Sequence, residues 1–383
     1  FLYFGTLDMD MSQFVIRDLG NLRFEAFKEA ALSANFENRK DAEDKLMLSL
    51  AYRFFRGLRA EGDPEDFFNL LKSWLENTPE LSITAKPLFD RLILRSARFL
   101  EQHQLFEEAL FIYRYTVKAP ARERCVRILH RKGENDAAKE LCEEIIANPE
   151  NADEKYFAAD FIRKIAGQKF VRSTRKFQKA ADTITIANDW QYRVEQGVLD
   201  YYLNEKGMQG FFSENFLWRG IFGLLFWEII FDEAGKGFHQ PFQRSPDDLF
   251  TADFLYSRKK SIDKRILLLL DQEKLIECIT TTYNNKYGFA NPVIGWFEDL
   301  LPMLQVFLKK VHTPALKEIL LAMCANLKDN SRGFPDLFVW DEHEYLFIEV
   351  KSPNDTLSAQ QLYWLELFSK VGINAQLLNV KWK

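Results

Sequence analysis

Apolar residues recur at spacings of three and four between residues 37 and 196, with polar residues at most of the other positions. This period is typical of amphipathic α-helices that bury one face. The segments DAEDKLMLSLAYRFFRGL and AKPLFDRLILRSARFLEQH carry it most clearly. Gly133 and the Asn148-Pro149 pair are predicted helix ends, because glycine and proline commonly terminate helices. We therefore predict a run of helices joined by short turns.

Successive helices of this length predict a stack of helical repeats similar to tetratricopeptide repeats. The match to that repeat is loose, because Ala109 and Ala137 are 28 residues apart, whereas the repeat is about 34 residues long. We interpret the region as degenerate repeats. Such a stack has a concave surface that suits a protein partner or a nucleic acid.

The pattern changes towards the C-terminus. ENFLWRGIFGLLFWEIIFDE predicts a buried helix, and the segments DLFVW, YLFIEVK and INAQLLNVKW predict strands, which we expect only in this last part of the chain. Between the last two strands, residues 357–372 predict a helix with Thr356 or Ser358 as its cap and Gly372 as its end. The predicted fold is α+β and multidomain: mostly helical, followed by an α/β module with a small mixed sheet.

Composition excludes several classes of protein. The chain is 47% hydrophobic and 28% charged, as in ordinary globular proteins. Its four cysteines form no CxxC motif, and its five histidines form no HExxH motif, so neither a zinc site nor a disulfide framework is indicated. The apolar run at 221–231 is too short to span a bilayer and includes Glu228. With no visible secretory signal, we expect an intracellular protein, cytoplasmic in a bacterium or nuclear in a eukaryote.

Basic residues are concentrated in two segments of a chain whose formal net charge is −5. Residues 163–179 hold seven cationic residues and no acidic one, and SRKKSIDKR at 257–265 forms a second cluster. Basic stripes on an acidic protein favour local contact with phosphates. The alternative is a solvated helix face, which is the commoner explanation for a basic run taken alone.

The segment GFPDLFVWDEHEYLFIEVKSPND, residues 333–355, predicts a β-hairpin with charged residues among apolar ones. A four-residue turn at DEHE would pair Trp340 with Tyr345 and so set Asp336 opposite Glu349. Two carboxylates facing each other are destabilising unless a divalent cation lies between them. Lys351 would then lie close enough to stabilise charge on a phosphate, as metal-assisted phosphodiester hydrolysis requires. The alternative is a polar edge hairpin with a surface ion pair.

These residues resemble a known family. GFPDLFVW together with FIEVKSPNDTLSAQQLYWL is similar to the virus-type replication-repair nuclease module (VRR-NUC), a branch of the PD-(D/E)xK nucleases. Together with SENFLWRGIFGLLFWEIIFDE and SPDDLFTADFLYSR, the chain resembles the Fanconi-associated nuclease family, as a bacterial member. FVIRDLGNLRFE resembles the part of that family near its SAP-type DNA-binding domain. The resemblance implies an N-terminal region at 1–36, a helical domain at 37–196 and a nuclease domain at 197–383.

The resemblance also implies a set of site residues. Glu214, Asp336, Glu349 and the carbonyl of Val350 would bind one or two Mg²⁺ or Mn²⁺ ions. Lys351 would orient or activate the attacking water, and Gln361 on the following helix would support the site. From the residues alone, Glu214 also fits a first-turn glutamate facing the helix dipole. Gln361 also fits an ordinary surface position.

The implied activity is cleavage of 5′-flap DNA with 5′-to-3′ exonuclease activity, in the repair of interstrand crosslinks. Branched DNA is then the partner, no membrane is involved, and the oligomeric state stays open, with a monomer as one possibility. The expected DNA-binding residues are Lys169, Arg172, Arg175, Lys176, Lys179, Arg258, Lys259, Lys260, Lys328 and Arg332, of which Lys328, Arg332 and the 258–260 cluster are candidates for a 5′-phosphate pocket. The alternatives are a Holliday-junction resolvase, a general PD-(D/E)xK endonuclease, or a helical-repeat scaffold with an inactive nuclease module.

Overall fold

The computed structural model describes residues 23–25, 36, 38–168, 170–232, 237–239 and 243–383. Most of the predicted N-terminal region at 1–36 lies outside these residues. The chain divides into two compact units, and the described residues of the helical unit end at Val171, while the sheet-containing unit includes Arg172–Lys383. The predicted domain boundary near residue 197 stays a prediction. Within the described residues, no helix combines the length and the apolar character needed to cross a membrane.

The helical unit confirms the predicted run of helices. Its helices are α1 (Arg39–Glu61), α2 (Pro64–Glu76), α3 (Lys86–Gln102), α4 (Phe106–Tyr113), α5 (Ala121–Lys132), α6 (Asn135–Ala147) and α7 (Ala152–Ile165). Polar caps start several of them; for example, the side chains of Asn38 and Asn151 each accept a backbone N–H of the first turn. Gly133, with a φ of 85°, ends α5 as predicted.

The sheet-containing unit has a mixed sheet. Within the described residues its strands are β1 (Asp182–Ile186), β2 (Gln209–Phe212), β3 (Leu337–Trp340), β4 (Tyr345–Lys351) and β5 (Ala375–Trp382). Their order is β1-β5-β4-β3-β2; β5 is parallel to both β1 and β4, and the other pairs are antiparallel. The predicted small mixed sheet is confirmed.

The expectation that strands occur only near the C-terminus is wrong, because β1 and β2 come much earlier in the chain. Both are edge strands of four or five residues. Strands this short contain too few residues to establish a period of two. Pairing with the long central strands stabilises them instead, so the signal is not local.

Helices cover both faces of this sheet. They are α8 (Ser173–Ala180), α9 (Val194–Asn204), α10 (Glu214–Leu225), α11 (Trp227–Ile230), α12 (Asp253–Ile266), α13 (Gln272–Lys286), α14 (Leu300–Lys310), α15 (Leu316–Ala325), α16 (Leu327–Asn330) and α17 (Ala359–Val371). One face of the hairpin packs with α9 in a cluster that contains Val339 and Val198. The other face packs with α10, α14 and α17 in an aromatic core that contains Phe347, Trp218 and Phe368.

Candidate active site

The β3–β4 hairpin has the register predicted from the sequence. Trp340 pairs with Tyr345, and Leu337 pairs with Ile348. One further step in the same register sets Asp336, the residue just before β3, opposite Glu349. The pleat directs these two side chains to one face of the sheet, the face that α10 and α17 cover.

Asp336 is held by its neighbours on both sides. Its Oδ2 accepts the N–H of Val350 at 2.8 Å, and its carbonyl accepts the N–H of Ser213 at 2.8 Å. The hydroxyl of Ser213 donates to the carbonyl of Pro335 at 2.8 Å. The residue that begins α10, Glu214, has a φ of 29°, which is unusual for a residue with a side chain. Such backbone strain is commonly retained at functional sites, and here it brings Glu214 beside Asp336.

The segment before Asp336 is fixed by aromatic packing. The ring of Phe334 stacks on Trp218 at 4.9 Å and on Trp364 at 4.2 Å between centroids. The indole N–H of Trp364 donates to the carbonyl of Arg332 at 2.8 Å. Gly333 has a φ of 79°, and a Cβ there would lie 2.9 Å from Cγ of Gln360. The approach to Asp336 therefore depends on glycine at this position.

Glu349 and Lys351 form a buried ion pair, which the half-buried side chain of Gln361 contacts. The Glu349 side chain is 1% exposed and that of Lys351 is 9% exposed, and Nζ of Lys351 is 2.8 Å from Oε1 of Glu349. The amide nitrogen of Gln361 donates to the same oxygen. Its amide oxygen accepts the N–H of Ser358 at 3.0 Å in a capping box, so α17 fixes this side chain. The predictions of Ser358 as a cap and of Gly372 as the end of the helix are confirmed.

Burial and like charge make both carboxylates hard to ionise. The pKa of Asp336 is raised to about 6, mainly by burial and also by the charges of Glu195 and Glu214, against the lowering effects of the Val350 N–H and Lys351. Burial, followed by the charge of Asp336, raises the pKa of Glu349 to about 8 against the lowering effect of Lys351. Strongly shifted carboxylates in one cluster are typical of functional sites.

Glu195 is a further candidate that the sequence pattern does not indicate. It lies at the start of α9, and its charge raises the pKa of both Asp336 and Glu349, so it lies near the same cluster. A glutamate in the first turn of an amphipathic helix is usually explained by the helix dipole, and nothing in the local sequence distinguishes this one. A strand prediction for β2 would have been the useful signal, because it would have made α9 the helix that leads into the sheet.

The residues fit a divalent cation in their chemistry. Within the described residues, no three His, Cys, Asp or Glu side chains already have the spacing of a metal site. Oε2 of Glu349, however, is buried and has no hydrogen-bond partner in the part of the chain that the structure describes. A buried carboxylate oxygen without a partner is costly, and several carboxylates with one lysine leave uncompensated negative charge. Oxygen donors of this kind suit Mg²⁺ or Mn²⁺.

Most of the predicted DNA-binding residues are exposed. The exposed ones are Arg172, Arg175, Lys176, Lys179, Lys259, Lys260, Lys328 and Arg332. Arg332 pairs with Asp329 at 3.1 Å and Lys259 pairs with Asp263 at 3.3 Å, but each side chain stays more than half exposed. Arg258 differs from the rest, since its side chain is 10% exposed and pairs with Asp248. Lys169 lies outside the described residues.

Comparison with known proteins identifies a family that this chain resembles. The family model of the VRR-NUC domain matches residues 270–382. The chain is 29% identical over 390 aligned positions to a Fanconi-associated nuclease 1 homolog of Pseudomonas aeruginosa, covering 100% of this chain and 68% of that protein. It is also 30% identical over 208 positions to the human Fanconi-associated nuclease 1, covering 53% of this chain and 20% of that protein.

Solved structures agree with the sequence matches. The chain is similar to a crystal structure of paFAN1 bound to DNA with a 2-nucleotide 5′ flap and a gap, with a TM-score of 0.79 and 26% identity. That match covers 100% of this chain and 69% of the solved one. A second paFAN1 structure, with a 1-nucleotide flap, matches with a TM-score of 0.77 and 27% identity. The similarity therefore extends over both units and not over the VRR-NUC region alone.

Proposed function

We propose that the chain is a member of the Fanconi-associated nuclease family and that it hydrolyses phosphodiester bonds in branched DNA with a 5′ flap. The observation that supports this proposal most directly is the cluster of Asp336, Glu349 and Lys351 at one end of the sheet. A scaffold with an inactive module has no need for opposed, buried carboxylates, which destabilise the fold. We include 5′-to-3′ exonuclease activity and a role in interstrand-crosslink repair in the proposal, since the resemblance implies both.

The carboxylates of Asp336, Glu349, Glu214 and Glu195 would hold the cation, with the carbonyl of Val350 as a further ligand. One or two Mg²⁺ or Mn²⁺ ions suit this all-oxygen set. When bound, the ion polarises a phosphate oxygen and lowers the pKa of water. Protein residues prepare the site for it: Asp336 is aimed by the Val350 N–H, and Glu349 is aimed by Gln361.

Lys351 contributes a cation that is already in position. Its ammonium lies 2.8 Å from Glu349 Oε1 in a nearly buried position, so it is partly desolvated before substrate arrives. A fixed charge in a site from which water is excluded stabilises developing negative charge more strongly than one in water. We propose that the Lys351 ammonium contacts the attacking water or the phosphate that is being cut.

The bound DNA is read by shape. Phosphate contacts from exposed Arg and Lys side chains fix the position of a duplex but carry no sequence information. The relatives seen with 5′-flap DNA make the flap junction the proposed substrate for this chain. Lys328 and Arg332 lie on the segment that leads into Asp336, so they stay our candidates for holding a 5′ phosphate.

Cleavage mapping tests the proposed function. Purified protein with Mg²⁺ or Mn²⁺ should incise an end-labelled 5′ flap near the junction, at least about tenfold faster than linear duplex, because shape selection requires a bent or branched substrate. The same series should include splayed-arm and four-way substrates, each with and without a 5′ phosphate. Equal cutting of flap and duplex would favour a general endonuclease, and preference for the four-way junction would favour a resolvase.

Neutralising Arg172, which precedes α8, together with two cations of α8 should weaken DNA binding in a salt-dependent manner. Replacing Arg172, Arg175 and Lys176 by glutamine removes up to three phosphate contacts, so the slope of log Kd against log salt should fall by about 2–3. Fluorescence anisotropy of a labelled flap across a salt series measures this slope.

A matched control removes three exposed lysines at the other end of the sheet. Lys206 precedes β2, Lys370 lies in the last turn of α17 before β5, and Lys309 adjoins Lys310, which bonds to the hairpin turn. Glutamine at these three positions changes the net charge equally, and we expect a slope close to that of the wild type. If the slope of log Kd against log salt falls equally in both triple variants, the effect comes from net charge, and α8 presents only a solvated face.

A further inference from the structure

The loop between β4 and α17 determines where two residues of the site lie. It begins at Ser352, directly after Lys351, and ends at Leu357, directly before the cap Ser358. Within the loop, the N–H of Ser352 donates to Oδ2 of Asp355 at 3.1 Å. Because Ser358 positions Gln361 through the capping box, any shift of this loop changes the direction from which Gln361 reaches Glu349.

Gln178, on α8, holds this loop from outside. Its amide nitrogen donates to the carbonyl of Asp355 at 2.9 Å, and its amide oxygen accepts the N–H of Leu357 at 3.1 Å. Both ends of one side chain are thus bonded to the backbone of a single loop. Among the described residues, the carbonyl of Asp355 and the N–H of Leu357 have no backbone partner in a strand or helix, so the amide of Gln178 takes that place.

Gln178 is itself tied to the strand beside Lys351. Nδ2 of Asn379 donates to the carbonyl of Gln178 at 2.9 Å, and Asn379 on β5 is the register partner of Lys351 on β4. The contacts therefore connect Lys351 through Asn379 and Gln178 to Leu357. From Leu357 the chain enters α17, where Gln361 contacts Glu349. Both sides of the catalytic cluster depend on the position of α8.

The exposed side of α8 presents cations. Arg175, Lys176 and Lys179 are exposed, whereas Gln178 is half-buried against the loop. A helix of eight residues has little independent stability and takes its position from what it contacts. Phosphates bound on one side of α8 and the loop bonded on its other side would therefore constrain each other.

We propose that Gln178 is a positioning residue, which couples DNA contact on α8 to the alignment of Lys351 and Gln361 in the active site. It touches neither substrate nor metal. Its effect is to hold the backbone of the loop 352–357 in place relative to α8. This inference rests on the proposed nuclease function, and it adds a residue and a route of coupling to it.

Gln178→Ala should lower kcat while leaving the affinity for DNA nearly unchanged. We expect kcat on the 5′ flap to fall about tenfold, because small misplacements of aligned groups are costly. The Kd of the flap should change less than about twofold, since no phosphate contact is lost. Binding is measured in an Asp336→Asn background, which prevents cleavage during the titration. A second variant, Gln178→Glu, keeps the size and the acceptor for Leu357 but cannot donate to Asp355, and its kcat should also fall.

Hydrogen exchange gives a readout that needs no nuclease activity. The Leu357 amide should exchange faster in Gln178→Ala than in the wild type, with an unchanged Tm, because a local bond is lost and the core is intact. Gln191→Ala is the control: this exposed glutamine makes no side-chain hydrogen bond within the described residues, and all readouts should match the wild type.

The outcomes distinguish this inference from the function that it rests on. Wild-type protein that cuts none of the DNA substrates would refute both. Wild-type protein that cuts flaps, with Gln178→Ala and Gln178→Glu equally fast, would refute only the positioning role. A lowered Tm, or a loss of kcat matched by an equal rise in Kd, would reduce Gln178 to a structural residue and overturn the inference.

Discussion

Asp336→Asn should abolish cleavage of flap DNA, with kcat falling at least about a thousandfold. Asparagine has the shape of aspartate and can still accept the N–H of Val350, so the hairpin keeps its geometry. It cannot supply a charged oxygen to a cation, and its amide nitrogen is repelled by one. Single-turnover cleavage of an end-labelled 5′ flap at saturating Mg²⁺ or Mn²⁺ measures the loss.

DNA binding should survive this substitution. Removing a negative charge near the scissile phosphate leaves the Kd unchanged or lower. Asp341→Asn is the matched control, because Asp341 lies in the turn of the same hairpin and its role there is to accept two backbone N–H groups, which asparagine also does. If Asp336→Asn retains cleavage within about tenfold of the control, Asp336 is not a metal ligand in the sense proposed.

The same variant should be more stable than the wild type when a chelator is present. The folded-state pKa of Asp336 is about 6, above its ordinary value of 3.8, so ionising it costs free energy in the folded protein. This cost is absent below pH 3.8 and complete above about pH 6. Thermal unfolding should therefore give equal Tm values for the two proteins near pH 3.8. At neutral pH, the free energy of unfolding of Asp336→Asn should be higher by on the order of 2 kcal/mol.

The β3–β4 hairpin was predictable because the information that specifies it is local. Alternation, turn length and the apolar faces together allow one register, and that register sets Asp336 opposite Glu349. The roles of Ser358 and Gly372 at the two ends of α17 were predictable for the same reason, since caps depend on residues within one turn. Gln361 is an intermediate case: its capping role follows from its spacing to Ser358, but its bond to Glu349 depends on how α17 packs on the sheet.

Residues that reach the site from distant segments were not predictable in this way. Glu195 and Gln178 precede Asp336 by well over a hundred residues, and their roles depend on β1 and β2 joining the edges of the sheet. Those strands are too short to establish a period of their own. For Arg258 the local sequence is misleading. Its basic segment indicates phosphate contact, yet an ion pair with Asp248 and packing over Phe254 hold its side chain within the fold.

Lys351→Met should lower kcat about a hundredfold, because the ammonium is lost while the aliphatic stem that fills the site is retained. The substitution also removes the cation beside Glu349. Lys351 lowers the pKa of Glu349, so without it that pKa rises further above about 8. A metal binds only the deprotonated carboxylate, and its affinity at neutral pH should fall as well. Cleavage rates across a Mn²⁺ titration separate the two effects, and Lys381→Met on β5 controls for the loss of a lysine from the sheet.

Lys351→Arg distinguishes a counter-ion from a participant in the reaction. Arginine keeps the positive charge, so it should restore the metal affinity that methionine loses. Its planar, more weakly hydrated guanidinium cannot occupy the same point as an ammonium 2.8 Å from Glu349, and kcat should stay low. If arginine restores both quantities, Lys351 acts only through the charge of Glu349, and the water or phosphate must be oriented by another group.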